Sequence, residues 1–491
     1  MANIIVGCAK YMMIFLIAIY AYQCFAVFAY TDERAKKRIL LYQNVIMFLI
    51  HFMAFMGMYF KTGEIKILLF YLAQFVLLFL ILLGYNKCYP KISKLIVNNM
   101  CMLLIIGFIM ITRLSYQKAV KQYVIAAGAF LISLIIPIVL KKVKIFPKLR
   151  IIYAVVGMVS LGLVFIAGSV SYGAKLGFTI AGIGVQPSEF VKIIFVFFVA
   201  ASLQESTTFK NVVATTVVAA IHVLILVISK DLGAALIIFI VYLVMLYVAT
   251  KQPLYTVAGI GAGSGAAVVA YHLFDHVKTR VTVWKDPLAV YQKGGMQVSQ
   301  SLFAIGTGSW LGTGLFQGKA NKIPVADEDF IFSAISEEMG LVFGLCMILI
   351  CISCYVMFLN IAMRLEKKFY KLVALGLGTY YIFQTFLNIG GVTNFIPSTG
   401  VTLPLVSYGG SSVFSTLIMF AIIQGLYILK EEEDSNLEKK RQSRETQIPR
   451  ARRDRDYLVD ERGERSSQED ARRKRAQKAT QEKQNRKSRI R

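Results

Sequence analysis

The sequence lacks the polar surface that a soluble chain of its length would need. Only 17% of its 491 residues are charged, whereas 57% are hydrophobic and the mean hydropathy is +0.61. A soluble protein this long would divide into domains with polar faces. No small-x-small cleavage site follows the first apolar run, roughly Ile4 to Tyr30. That run is also too long for a signal-peptide core, so it reads as a retained span. None of the seven cysteines (Cys8, Cys24, Cys88, Cys101, Cys346, Cys351, Cys354) falls in a loop expected outside, so no disulfide is expected. The C-x-x-C of Cys351 and Cys354 lies in an apolar helix and reads as packing rather than as a metal or redox site. His272 and His276 have a zinc-like spacing but no evident third ligand, so no metal site is assigned. The glycine-rich stretch 259–265 has no following Lys-Ser/Thr and no strand before it, which excludes a nucleotide loop in favour of close helix packing.

What is present is a series of apolar runs of membrane-span length. A bilayer core of ~30 Å needs ~20 apolar residues per helix. About thirteen runs qualify, near 3–30, 38–60, 64–85, 92–112, 120–141, 148–168, 187–205, 209–228, 231–250, 254–275, 330–358, 369–396 and 405–430. The expected fold is therefore an all-α polytopic membrane protein with one large loop at 276–329. The net charge of +26 does not indicate a nucleic-acid partner, because much of it lies in short loops and in the C-terminal tail. Lys36, Lys37 and Arg38, then Lys87, Lys91 and Lys94, then Lys141, Lys142, Lys144 and Lys148, and finally Arg364, Lys367, Lys368 and Lys371 share one side if thirteen spans alternate. Basic loops mark the cytoplasm. The N-terminus and the 276–329 loop are then expected outside, and the tail inside. The loop with Arg113, Lys118 and Lys121 departs mildly from this rule. Residues 431–491 are rich in charge, Gln and Ser, and are expected to be disordered, with a basic face available to anionic lipid.

Ionisable residues near a membrane are costly and become functional candidates. Four clusters fall at the expected outer end. In Gln186-Pro187-Ser188-Glu189-Phe190-Val191-Lys192, Pro187 suits a first helical turn, and Glu189 and Lys192 share a helix face. That pair suits a site, or an ion pair that fixes helix packing. Asp231 in Ser229-Lys230-Asp231-Leu232-Gly233 suits a helix N-cap. The large loop holds both tryptophans, Trp284 and Trp310, with Arg280, Lys285 and Asp286, and its basic residues would attract an anion such as a diphosphate. Asp329 leads into a segment carrying Glu337 and Glu338, and residues 388–412 supply a Gly- and Pro-rich break in the helical pattern with Ser407, Gly409 and Ser411. Broken backbone at membrane depth is tolerated where it lines a cavity or is buried in protein.

These motifs together resemble the SEDS family (shape, elongation, division and sporulation), of the RodA, FtsW and SpoVE type. The resemblance rests on QPSEFVK at 186–192, DLGAAL at 231–236, W-K-D-P at 284–287 with Gln300-Ser301-Leu302, DFIF and EE-x-G at 329–340, and NIGGVTNFIPSTGVTLPLVSYGGSS at 388–412. It covers roughly 92–430, ten of the thirteen spans, and leaves 1–91 as accessory N-terminal helices and 431–491 as a tail. Three stretches depart from the family's pattern. Ala174-Lys175-Leu176 stands near the usual Arg-Arg-Trp, Ser229-Lys230 replaces Gln-Pro, and Gly294-Gly295-Met296-Gln297 replaces Gly-Tyr-Gln.

The resemblance implies an inverting glycosyltransferase of the bacterial cytoplasmic membrane that polymerises lipid II and releases undecaprenyl diphosphate. It also implies a class B penicillin-binding protein as partner, among other cell-wall machinery, for cell elongation, division or sporulation. The family's essential loop aspartate falls on Asp286, the expected catalytic base. Glu189, Lys192, Gln186, Ser188, Asp231, Arg280, Lys285, Gln300, Asp329, Glu337, Glu338, Ser407, Gly409 and Ser411 are expected to bind substrate or support the site. No cofactor is required by this reading, though a divalent cation fits it. Two other classes suit the same residues: a transporter of lipid-linked cell-wall precursors, and a non-catalytic scaffold for a penicillin-binding protein.

Overall fold

The computed structural model describes residues 2–171, 174–180, 183–447 and 466–477. Three helices open the chain: α1 (Ala2–Ala26), α2 (Glu33–Thr62) and α3 (Ile65–Cys88). Next come α4 (Lys94–Leu114), α5 (Tyr116–Ser133), α6 (Ile136–Lys142) and α7 (Arg150–Ala167). A small antiparallel sheet in the order β1-β2-β3 follows, from Ser169–Ser171, Ala174–Ile180 and Ile183–Val185. Then come α8 (Pro187–Glu205), α9 (Phe209–Ile228), α10 (Leu232–Thr250) and α11 (Pro253–Leu273). The large loop contains α12 (Asp275–Lys285), α13 (Met296–Gly308) and α14 (Ile331–Met339), and α15 (Leu341–Arg364), α16 (Lys368–Val392) and α17 (Gly410–Gln447) complete the series.

Thirteen of the described helical segments are long and apolar enough to cross a membrane, with α5 and α6 forming one such segment. The expected number is thus found, and most boundaries agree within a few residues. Local chemistry sets several of them. Asp32 accepts from the backbone N–H groups of Arg34 and Ala35 at the start of α2, and Gly63, at φ 71°, ends that helix. Pro187 and Pro253 occupy first turns, where a missing N–H costs nothing.

Two differences matter. The expected span 330–358 is broken at Gly340, whose φ of 93° and ψ of 161° no helix accommodates, so α14 is a separate buried helix and the span itself is Leu341–Arg364. The sheet was not anticipated, because its strands are only three to seven residues long. In the tail, expected to be disordered, residues 431–447 continue α17 and 466–477 are helical, while 448–465 and 478–491 lie outside the described residues.

Residues 1–430 form one compact unit and 431–491 a second. Within the first, α4 occupies the centre, with all of its apolar window buried, whereas α11 buries none of its residues. The three N-terminal helices pack directly on this centre, α1 against α15 and α2 against α4. Polar side chains lock that contact. Asn99 of α4 accepts from the Tyr20 hydroxyl at 3.1 Å and the Cys24 thiol at 3.2 Å, and donates to Ser353 of α15 at 3.1 Å. Asn98 donates to Gln43 and to the Leu40 carbonyl. At the other extreme of the sequence, Gln424 of α17 accepts from the Ser93 N–H at 3.1 Å and donates to the Ser93 carbonyl at 2.9 Å.

Because the alternative to each of these bonds is an unpaired polar group in a dry interior, Asn99→Leu is expected to destabilise the bundle. Interhelical hydrogen bonds of this kind contribute about 0.6–1.7 kcal/mol. Thermal unfolding in detergent checks this, and a melting temperature equal to wild type would show that Asn99 does not hold the N-terminal helices in place.

Candidate functional site

Alternation of thirteen spans gathers the loops at 115, 168–186, 229–231, 274–340 and 393–409 at one end of the bundle. There β3 delivers Gly184 and Gln186 to the start of α8, through the register Phe178 to Val185, Thr179 to Gly184 and Ile180 to Ile183. A cavity of about 110 Å³ opens between these residues, the start of α10 and the 400–412 segment. Gln186, Glu189, Lys192, Asp231, Gly400, Thr402 and Ser411 are among its walls.

Glu189 and Lys192 are both buried and form an ion pair at 2.7 Å along the first turns of α8. The second carboxylate oxygen of Glu189 accepts from the Tyr380 hydroxyl at 3.2 Å and from Ser415 at 3.3 Å. Lys192 also donates to Gln384 at 3.4 Å and lies 5.1 Å from the centre of the Tyr380 ring. The sequence left open whether this pair serves a site or helix packing; in the structure it ties α8 to α16 and α17 and forms part of the cavity wall. Asp231 is the N-cap of α10, with Oδ1 accepting from the Ala234 N–H at 3.1 Å. Its Oδ2 accepts from Ser188 at 3.0 Å and Gln186 at 3.3 Å, so capping and cavity lining coincide in one carboxylate. Ser411 accepts from the Gln186 N–H at 2.8 Å.

The 393–409 segment has no regular structure and still runs through the bundle interior, with Val401, Leu403, Leu405, Val406 and Ser407 buried. Three side-chain amides satisfy its backbone. Gln384 donates to the Thr402 carbonyl at 2.9 Å, Asn388 to the Val401 carbonyl at 2.7 Å, and Gln122 to the Ser407 carbonyl at 3.1 Å. Gln122 also accepts from the Gly409 N–H. A Cβ at Gly107 of α4 would lie 2.7 Å from the Val406 carbonyl oxygen, so only glycine lets the segment pass so close. These amides were not singled out in the sequence; glutamine and asparagine inside apolar spans were the available signal. Ser407 serves the same segment, accepting from the Leu403 N–H and donating to the Glu328 carbonyl.

Arg280 projects from α12 and donates to the Ser398 carbonyl at 2.7 Å. A Cβ at Gly400, where φ is +72°, would lie 3.5 Å from Asp329 Oδ2 and 3.7 Å from Arg280 Nη2, so both side chains close on this cavity-lining glycine. Burial, with help from Glu328, raises the Asp329 carboxyl to about 6 against the opposing effect of Arg280.

The remaining expected residues stand apart from the cavity. Asp286 caps the C-terminal end of α12, is exposed, and accepts from the Ala289 N–H at 3.0 Å. Lys285 beside it is exposed. Gln300 donates to the Tyr291 hydroxyl at 2.7 Å and braces the loop. Glu338 holds a buried, two-pronged pairing with Arg113 at 2.7–3.1 Å and accepts from the Phe316 N–H, while Glu337 accepts from the Lys319 N–H at 2.7 Å. These two glutamates fasten residues 313–319 to α14, and Glu338 also fastens them to α4. Their adjacency therefore has a structural cause. Among the described residues no three His, Cys, Asp or Glu side chains gather to hold a metal ion.

The match to known proteins covers the same part of the chain as these features. A family model described as Cell cycle protein, FTSW_RODA_SPOVE, matches residues 93–432. The peptidoglycan glycosyltransferase RodA of Mycobacterium tuberculosis is 38% identical over 268 residues, covering 51% of this chain and 57% of that protein. The probable peptidoglycan glycosyltransferase FtsW of Aliivibrio salmonicida is 30% identical over 289 residues, covering 57% of this chain and 71% of that protein. The chain thus spans little more than half the length of the mycobacterial relatives it matches. Among solved structures, a chain from a peptidoglycan synthase complex superposes with a TM-score of 0.60 at 21% identity, covering 69% of this chain and 98% of that one. The rod shape determining protein RodA of Thermus thermophilus superposes at 0.53 and 20% identity, covering 69% of this chain and 97% of that one. At these identities the likeness is one of fold.

Removing one member of a buried ion pair leaves the other uncompensated, at a cost of about 3–5 kcal/mol. Glu189→Gln is accordingly expected to destabilise the protein strongly, and Glu189→Gln combined with Lys192→Met to recover most of the loss. Melting temperatures of the three proteins in detergent decide this; a double variant no better than the single one would refute the pairing as the source of the cost.

Proposed function

The chain belongs to the FtsW, RodA and SpoVE family of cell cycle proteins, and from that membership we propose that it is a peptidoglycan glycosyltransferase that polymerises lipid II. The observation that supports this reading most is convergence. Segments 186–192, 231–236 and 398–412, remote in sequence, meet at one polar cavity, and the loop helix carrying Asp286 is tied to the same end of the bundle through Arg280. The chain is a multi-pass membrane protein. The basic loops at the opposite end, with Lys87, Lys141, Lys142 and Lys371, favour a cytoplasmic location there, which puts the cavity, the large loop and the N-terminus at the outer face. Lipid-linked substrate presented at that face meets the loop directly.

In the reaction, an acceptor sugar hydroxyl attacks the anomeric carbon of the growing chain. The bond from that carbon to the lipid diphosphate breaks, and undecaprenyl diphosphate leaves with the bonding electron pair. Configuration inverts. The leaving group is good without protonation, so one base suffices, unlike glycoside hydrolysis with its two carboxylates. Asp286 is that base: an exposed carboxylate on a loop helix, with one oxygen engaged by its own turn. Lys192 is already paired with Glu189 and Arg280 is engaged by the Ser398 carbonyl, so Lys285, exposed beside Asp286, is the cation better able to meet the diphosphate as its charge develops. A divalent cation, where required, would be held largely by the substrate's own phosphate oxygens together with one or two carboxylates. The partner proposed for crosslinking the product is a class B penicillin-binding protein, working with other cell-wall machinery.

Purified protein, with and without its cognate penicillin-binding protein, is expected to make glycan from lipid II, and Asp286→Asn to abolish this while inserting and folding normally. An active Asn variant would remove Asp286 from the mechanism. No product from wild type with its partner present would overturn the polymerase reading and favour translocation of the precursor across vesicles.

A further inference from the structure

α12 is the helix that carries Lys285 and Asp286, and hydrophobic packing does little to fix it. It buries one residue, Val283, and the span before it, α11, buries none. Two hydrogen bonds join α12 to the 393–409 segment. Arg280 donates to the Ser398 carbonyl at 2.7 Å, and Asn394 donates to the Trp284 carbonyl at 3.1 Å. The second is exposed at the surface, whereas the first is partly buried and charged, and bonds to charged groups are the stronger kind.

Asp329 approaches the same point beside Gly400 that Arg280 does, at 3.5 Å against 3.7 Å from where a Cβ would sit. Asp329 sits in a fixed place. Its carbonyl accepts from Asn388 at 2.8 Å, and the helix that begins two residues later is wholly buried. The arrangement therefore sets a cation on a lightly packed helix near an anchored carboxylate, and a glycine at position 400 leaves room for both side chains. We propose that Arg280 and Asp329 form a latch that positions α12, and with it Asp286, for the transfer reaction, Asp329 acting as a positioning residue. The proposal rests on the glycosyltransferase reading and deepens it.

The charged groups around the pair are Glu328 next to Asp329, Asp231 in the α9–α10 turn facing Arg280, and on α12 itself His276, with Lys230 and Asp275 near it. Burial holds the Asp329 carboxyl at about 6 instead of 3.8. It is ionised above that value and draws Arg280 in; as pH falls through it, protonation weakens the latch. Stability runs the other way. A carboxyl raised on folding contributes stability below its unfolded value, near 3.8, and loses it as pH rises through about 6. At pH 7.5 the buried, ionised Asp329 carboxylate thus costs the fold stability, a cost that the nearby Arg280 charge reduces, while it serves the geometry, which separates a positioning role from a merely structural one.

The experiment compares wild type, Asp329→Asn and Asp329→Glu in lipid II polymerisation from pH 5 to 8, with melting temperature and amide hydrogen exchange of residues 275–285 measured at each pH. Wild-type kcat is expected to fall on the acid side with an inflection near 6. Asp329→Asn should lose the inflection and lower kcat on the order of ten- to a hundredfold at pH 7.5, because misplacing a reacting group by about 1 Å costs up to about a hundredfold, with KM little changed. Its α12 amides should exchange faster than in wild type while its melting temperature at pH 7.5 is no lower, and Asp329→Glu should recover part of kcat. An Asn variant with wild-type kcat and acid limb, or with unchanged α12 exchange, overturns the latch. So does a lower melting temperature at pH 7.5, which marks a structural pair. Absence of product from wild type at every pH would instead count against the glycosyltransferase reading.

Discussion

The structure depends on one constraint: an irregular stretch of chain, 393–409, runs through the inside of a helical membrane protein. Over its most buried part, 401–407, each backbone N–H and C=O must find a partner, because an unpaired buried group costs several kcal/mol. The partners come from elements far apart in sequence. Gln122 of α5, and Gln384 and Asn388 of α16, reach the carbonyls of Ser407, Thr402 and Val401. Gly107 on α4 makes room for the segment, and the Asp327 carbonyl accepts from the Tyr408 N–H. The cavity is a product of this arrangement, since Gly400, Thr402 and Ser411 line it only because the segment is held open beside α8 and α10.

The same constraint explains which charged residues sit where. Glu189 and Lys192 neutralise each other within the bundle and accept further support from Tyr380, Ser415 and Gln384. Arg113 and Glu338 do the same at the base of the large loop. Arg280 and Asp329 are less completely matched, and they occupy the boundary between the rigid bundle and the lightly packed α11–α12 arm. The bundle thus uses closed pairs, whereas the open pair lies where the lightly buried α11–α12 arm meets it.

Much of this was legible from the sequence. Thirteen apolar runs predicted thirteen spans, because length and hydropathy alone determine whether a helix can cross a bilayer. The spacing of Glu189 and Lys192 predicted their pairing, and Asp231 before an apolar run predicted its cap. What could not be read was tertiary. Hydropathy runs straight through Gly340 and conceals a break that depends on a backbone angle. The strands before α8 are too short for period-two alternation to register. Glu337 and Glu338 stood out as adjacent carboxylates entering a span, and their partners, Lys319, Phe316 and Arg113, become visible only once the loop folds back. Nor does the sequence show that α1 and α2, which lie outside the family match, are bonded to α4 through Asn99 and Asn98, or that Asn99 also reaches Ser353 of α15.

The pairing of Ser93 with Gln424 bears on how the protein is made. Ser93, at the N-cap of α4, is matched on both its N–H and its carbonyl by a side chain 331 positions later, on the last span. During synthesis, Gln122 likewise has to wait for Ser407 and Gly409. The earlier spans must therefore enter the bilayer with polar groups still exposed to lipid or to the insertion machinery, and only arrival of the final helix closes the bundle. A chain cut short before α17 would lose the partners that early spans were built to await, so it should be recognised as defective and cleared by the cell's membrane proteases even though most of its helices are already in place.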